Sequence, residues 1–154
     1  MRIAIAADHN GYDLKQQLVT DLRASGHQVA DLGADGADAP DDYPDFAQRV
    51  CEAIRSGVAD RAVVVCGSGV GVTVAANKFP GIRAGMCHDL YSARQGVEHD
   101  DMNVLCLGSR VVTFDLAREL VNEFLAARFS NEDRHARRLS KVKAIEARFM
   151  KPEK

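Results

Sequence analysis

No stretch of this sequence stays apolar for the roughly 20 residues that a membrane-crossing helix requires. The opening run, Met1-Arg2-Ile3-Ala4-Ile5-Ala6-Ala7-Asp8, is too short to read as a signal peptide. There is little net charge either. Twenty Lys and Arg stand against 22 Asp and Glu, a formal charge of -2, so no bulk field recruits nucleic acid or an anionic membrane. The four cysteines (Cys51, Cys66, Cys87 and Cys106) include no Cys-x-x-Cys pair, which fits neither a disulfide framework nor a zinc site. Repeats and low-complexity segments are also missing. These absences point to a cytoplasmic protein with no membrane or nucleic-acid partner.

What is present is an ordinary globular chain of 154 residues, 46% hydrophobic and 27% charged, long enough to bury a core as a single domain over 1–154. Strand and helix patterns alternate about five times. Ile3 to Ala7 is a short apolar run, followed by Leu14, Leu18 and Leu22 at helical spacing and by Gly26 as a stop. His27 to Leu32 reads as a second strand, and Pro44 opens a helix with Phe46, Val50 and Ile54 on one face. Ala62-Val63-Val64-Val65-Cys66 is the clearest strand, uninterrupted as in a parallel strand buried on both faces. A helix is expected from the glycine segment to near Phe79-Pro80-Gly81, then strands at Arg83–Cys87 and Val104–Leu107 around a helix near Tyr91–Glu98. Leu116, Leu120, Val121, Phe124 and Leu125 mark another helix. A last one carries Leu139, Val142, Ile145 and Phe149 at spacings of three and four, and the Lys151–Lys154 tail is expected to fray. Such alternation implies a parallel sheet covered on both faces, with ligands at the carboxyl ends of its strands.

Reactive side chains gather at those ends. Asp8-His9-Asn10-Gly11 follows the first strand and Cys66-Gly67-Ser68-Gly69-Val70-Gly71 the central one; Glu98-His99-Asp100 precedes the last strand and Gly108-Ser109-Arg110 follows it. Glycines at alternate positions remove Cβ atoms that would block a ligand, and N–H groups at a helix start favour negative charge, a phosphate or an enediolate oxygen. The plain alternative is a tight turn holding nothing, and neither a P-loop nor a dinucleotide fingerprint is present. Beside such N–H dipoles the Cys66 thiolate is favoured as base or nucleophile, although most free cysteines are inert packing, as Cys51, Cys87 and Cys106 are expected to be. His99 lies between two acids placed to orient its ring, and His9 stands in a polar cluster; a solvated surface histidine is the alternative for each. His27 and His88 have no such setting. Arg134 and Arg138 stand one helical turn apart, with His135 and Arg137 between them, and paired guanidinium groups suit phosphate. A solvated basic face is the bland counterpart.

Taken in order, Asp8-His9-x-Gly11, Tyr43-Pro44, Cys66-Gly67-Ser68-Gly69-Val70-Gly71, Ala76-Asn77-Lys78-x-Pro80-Gly81-Ile82-Arg83, Glu98-His99, Asn103-Val104-Leu105, Gly108-x-Arg110 and Arg134-His135-x-x-Arg138 resemble the ribose-5-phosphate isomerase B family. That family also contains galactose-6-phosphate isomerase subunits, and the resemblance spans nearly the whole chain. It implies an α/β, Rossmann-like three-layer sandwich with a roughly five-stranded parallel sheet and a C-terminal helix. It further implies an aldose–ketose isomerase of ribose 5-phosphate and ribulose 5-phosphate, without metal or cofactor. The enzyme would be a homodimer, or a tetramer, with active sites shared between subunits. By the same resemblance Cys66 moves the proton between C2 and C1, Ser68 assists, and the segment Gly67, Gly69, Val70 and Gly71 holds the enediolate oxygen. His99, from the other subunit, opens the sugar ring with Asp8 nearby. His9, Arg110, Arg134 and Arg138 bind phosphate, with Tyr43 and Asp100 also at the substrate.

The sequence departs from the family pattern at two places. Val72 stands where one branch places a glutamate base, which favours the cysteine type. Asp100 stands where the family usually has asparagine; an ionised carboxylate can only accept hydrogen bonds and would repel an enediolate. Rival readings are an isomerase of a four- or six-carbon sugar phosphate or a free sugar, a non-catalytic sugar-phosphate-binding module, and a redox thiol protein. A pure binder needs neither Cys66 nor His99, and no resolving cysteine lies near Cys66 in sequence.

Overall fold

The structure is a computed structural model that describes residues 1–150. The order is β1 (Arg2–Ala7), α1 (Tyr12–Ala24), β2 (Gln28–Asp31), α2 (Tyr43–Arg55), β3 (Arg61–Cys66), α3 (Val70–Ala76), β4 (Ala84–Met86), α4 (Leu90–Asp100), β5 (Val104–Gly108), α5 (Phe114–Ala126) and α6 (Asp133–Phe149). The five strands form one parallel sheet ordered β2-β1-β3-β5-β4. Ile3, Ile5, Val63, Val65, Leu105 and Leu107 face one core with Leu18 and Leu22 of α1 and Leu120 and Phe124 of α5. The alternate residues Ala4, Ala6, Val64, Val104 and Cys106 face the other, with Phe46, Val50 and Cys51 of α2 and Val72 of α3. This period-two division makes three layers, so the expected α/β sandwich is what forms.

The chain leaves β1 toward one edge of the sheet and returns as β3 on the opposite side of β1. The order therefore reverses between β1 and β3, where a crevice opens at the strand ends. Asp8 follows β1 and Cys66 ends β3, so the two reach that crevice together. Gly11 permits this closeness, because a Cβ there would stand 2.7 Å from the Val65 carbonyl oxygen.

Three elements depart from expectation. The helix α3 stops at Ala76, not near Gly81, because Lys78, Phe79 and Ile82 donate backbone bonds only three residues back, to Ala75, Ala76 and Phe79. The Asn77 amide reinforces the stop by donating to the carbonyls of Thr73 and Ala84. Strand β4 is shorter than Arg83–Cys87, since Arg83 is drawn aside to the carbonyl and carboxylate of Asp101. Along α6 only Leu139 of the apolar stripe is buried; Val142, Ile145 and Phe149 are 48%, 60% and 69% exposed. The stripe is real but its outer half is left largely exposed among the described residues. Lys151–Lys154 lie outside the described residues. Among the described residues no helix is long and apolar enough to cross a membrane.

Candidate active site

Asp8, Tyr43, Cys66, Gly67, Ser68, Gly71, Arg110 and Val111 line a cavity of about 340 Å³ over the reversal point. Cys66 is 4% exposed, and its Sγ accepts the Gly69 N–H at 3.1 Å. Gly69 reaches that position with φ of +83°, a left-handed conformation that glycine adopts freely. The next amide, that of Val70, donates to Ser68 Oγ at 3.2 Å. Two amides expected to face a ligand are thus engaged inside the loop in this state. The loop is held from below by the turn that follows β5: Ser109 and Arg110 donate backbone N–H groups to the carbonyls of Cys66 and Gly67.

The other three thiols are of a different kind. Burial pushes Cys51 and Cys106 up to about 12 and Cys87 to about 11. They are packing groups, as their place inside elements had suggested.

Beside the cavity runs a chain of polar contacts. Asp41 accepts both the backbone N–H and Nδ1 of His9, at 3.0 and 2.7 Å. Asn10 donates to His9 Nε2 at 3.2 Å and accepts from Arg110 Nη2 at 2.9 Å. Two of the residues expected at phosphate, His9 and Arg110, are therefore tied through Asn10. Asp8, His9 and Asp41 bring three potential metal ligands within 4.8 Å of one another. All three are already engaged, Asp8 Oδ1 by the Gly11 N–H and Asp41 by His9. Tyr43 stands over Gly71, where a Cβ would be 2.8 Å from the ring.

His99, Asp100, Arg134 and Arg138 do not line this cavity. They form a second group where α6 packs on α4. The flanking acids do not orient His99 as expected: Glu98 pairs with Arg94, and Asp100 is exposed at the helix end. Neighbours on a helix point about 100° apart, so the residue one turn away does the work. Gln95 Nε2 donates to His99 Nδ1 at 2.8 Å, and the His135 ring stacks on His99 at 3.9 Å between centroids. Arg134 pairs with Glu132 at 3.0 Å, and Arg138 is exposed. Sequence reasoning passed over Asp41, Gln95 and Val111. It also set His88 aside, whose Nε2 accepts the Gly108 N–H at 3.2 Å next to the glycine loop. Gln95 follows from the i,i+4 spacing on α4, a signal open to sequence reasoning, whereas sheet order brings Asp41 and His88 to their partners.

Residues 3–142 match the Ribose/Galactose Isomerase family. The chain belongs to that family. Among its relatives, ribose-5-phosphate isomerase B of Escherichia coli is 42% identical over 96% of this chain and 97% of its own. D-erythrulose-4-phosphate isomerase 2 of Mycolicibacterium smegmatis is 40% identical over 95% and 97%. Of solved structures, the Clostridium thermocellum ribose-5-phosphate isomerase B superposes with a TM-score of 0.93, at 46% identity over 97% of this chain and 99% of that one. The Mycoplasma genitalium ribose-5-phosphate isomerase B with bound ribulose-5-phosphate superposes at 0.89, with 40% identity over 94% and 95%. Membership of the Ribose/Galactose Isomerase family makes this chain an isomerase with a Rossmann-like sheet.

Proposed function

We propose that the chain, as one domain over 1–154, interconverts ribose 5-phosphate and ribulose 5-phosphate with Cys66 as the base. The observation that carries this reading is the Cys66 sulfur at the cavity floor, with the Gly69 N–H on it at 3.1 Å and Arg110 on the rim. The thiolate removes the C2 proton of the open-chain aldose. The resulting thiol returns that proton to C1 of the enediolate, giving the ketose with no net change in atoms or electrons. Ser68 moves off the Val70 N–H to assist proton movement between the oxygens, and that amide then receives the enediolate oxygen. The steps use only a thiol, an imidazole and hydrogen bonds, so neither metal nor cofactor takes part. A reduced cytoplasm keeps such a thiol free.

Phosphate is held by His9 and Arg110 on one side and by Arg134 and Arg138 on the other. Because His99 is stacked on His135, next to Arg134, these groups travel together. A second copy of the chain supplies them: the exposed Val142, Ile145 and Phe149 of α6 give it an apolar seat. The enzyme is then a homodimer with shared sites. The name of the 40% identical Mycolicibacterium smegmatis relative also supports a second substrate, the four-carbon erythrulose 4-phosphate.

One experiment tests chemistry and assembly together. Cys66→Ala and His99→Asn are assayed separately on ribose 5-phosphate and on four- and six-carbon analogues, with EDTA present, and then after mixing and re-pairing. Each variant alone should be inactive, and random re-pairing should restore about one quarter of wild-type activity, one complete site in each mixed dimer. An active Cys66→Ala refutes the thiol base. Two inactive variants that stay inactive when mixed refute the shared site.

A further inference from the structure

The His135 ring is 1% exposed, yet it belongs to no part of the mechanism above. It lies flat against His99, ring centroids 3.9 Å apart and planes 27° from parallel. Its Nδ1 is 2.6 Å from Ser130 Oγ. That hydroxyl also accepts the Glu132 N–H at 3.3 Å, so Ser130 ties the ring to the start of α6. The buried Nε2 has no hydrogen-bond partner among the described residues. A phenyl ring would fill the same space without stranding a polar nitrogen, so packing alone gives no reason for an imidazole here.

The surroundings disfavour the charged form of this ring. Burial lowers its basicity most, followed by His99 and Arg134; Glu132 opposes them weakly and Arg138 adds to the lowering. Of two imidazoles in contact only one carries a proton easily. Gln95 meanwhile donates to His99 Nδ1, leaving Nε2 as the atom that exchanges protons with substrate.

We propose that His135 is a positioning residue for His99: fixed by Ser130, its buried ring is the platform that sets the plane of the His99 imidazole for opening the sugar ring. This rests on the reading that His99 opens that ring. Ser130 itself is fixed by its N–H to the Glu98 carbonyl, so the platform is anchored to the helix that carries His99.

The test separates ring opening from proton transfer in the full-length enzyme. Ribose 5-phosphate is cyclic and must be opened, whereas ribulose 5-phosphate is acyclic because its C5 oxygen is esterified. His135→Ala should lower kcat on ribose 5-phosphate about 10- to 100-fold with little change in KM. Exchange of the ribulose 5-phosphate C1 hydrogen with solvent deuterium should fall less than about threefold. His135→Phe, which keeps the stack but loses the Ser130 bond that fixes the ring, should recover only part of the loss. Equal loss of turnover and exchange in both variants, or unchanged turnover of ribose 5-phosphate in His135→Ala, overturns the proposal. His99→Asn is the companion variant: if it still turns over ribose 5-phosphate at the wild-type rate, ring opening does not belong to His99, and that reading fails independently of His135.

Discussion

Gly108→Ala isolates the support beneath the glycine loop. Gly108 ends β5 opposite Cys66, and a Cβ there would stand 2.5 Å from the Ser68 carbonyl oxygen and 2.6 Å from its carbon. Ordinary contact begins near 3.4 Å, so Ser68 must retreat by about 0.9 Å, being backbone and unable to rotate away. Overpacking of this size costs about 1–3 kcal/mol, a fall of roughly 2–12 °C in Tm for a chain of this length. The functional cost is larger in proportion. Ser68 sits between the Cys66 thiol and the Val70 amide, and a 1 Å error in such a group costs about 100-fold in rate. The assay pairs kcat/KM on ribose 5-phosphate with thermal unfolding, and Gly36→Ala, with nothing within 4 Å of its Cβ, serves as control. A Gly108→Ala enzyme with kcat/KM within twofold of wild type would refute the claim that β5 holds the loop in register.

Two further outcomes concern stability. Lys15 is 1% exposed and bonds Asp31 at 2.6 Å, while Asp31 Oδ1 also accepts the Gly33 N–H. Asp31→Ala strands a buried ammonium and should cost about 3–5 kcal/mol in urea unfolding; Lys15→Met should cost under about 2 kcal/mol, and the reverse order would refute the assignment. For pH, His135 binds its proton less readily folded than unfolded. The unfolded chain therefore takes up more protons just below about pH 6.5, and stability falls as pH drops through that value. His135→Phe should flatten the dependence of Tm on pH between about 5 and 7; a slope equal to wild type would show that another group is responsible.

Local pattern alone determined much of this protein. The uninterrupted run Ala62–Cys66 and the leucines of α1 and α5 fix strand and helix because periodicity is a property of neighbours in sequence. Cys66, Ser68, Asp8 and Arg110 were legible for the same reason: strand-end position is local, and parallel sheets open at that end. Tertiary structure decided what depends on separation in space. Sheet order joined His9 to Asp41, and His88 to Gly108. Helix packing placed the His135 ring on His99, while the Gln95 contact that stands in for Glu98 and Asp100 is a local i,i+4 pair on α4. It also left Val142, Ile145 and Phe149 facing outward, since a 3.6-residue period identifies an apolar face without saying what covers it.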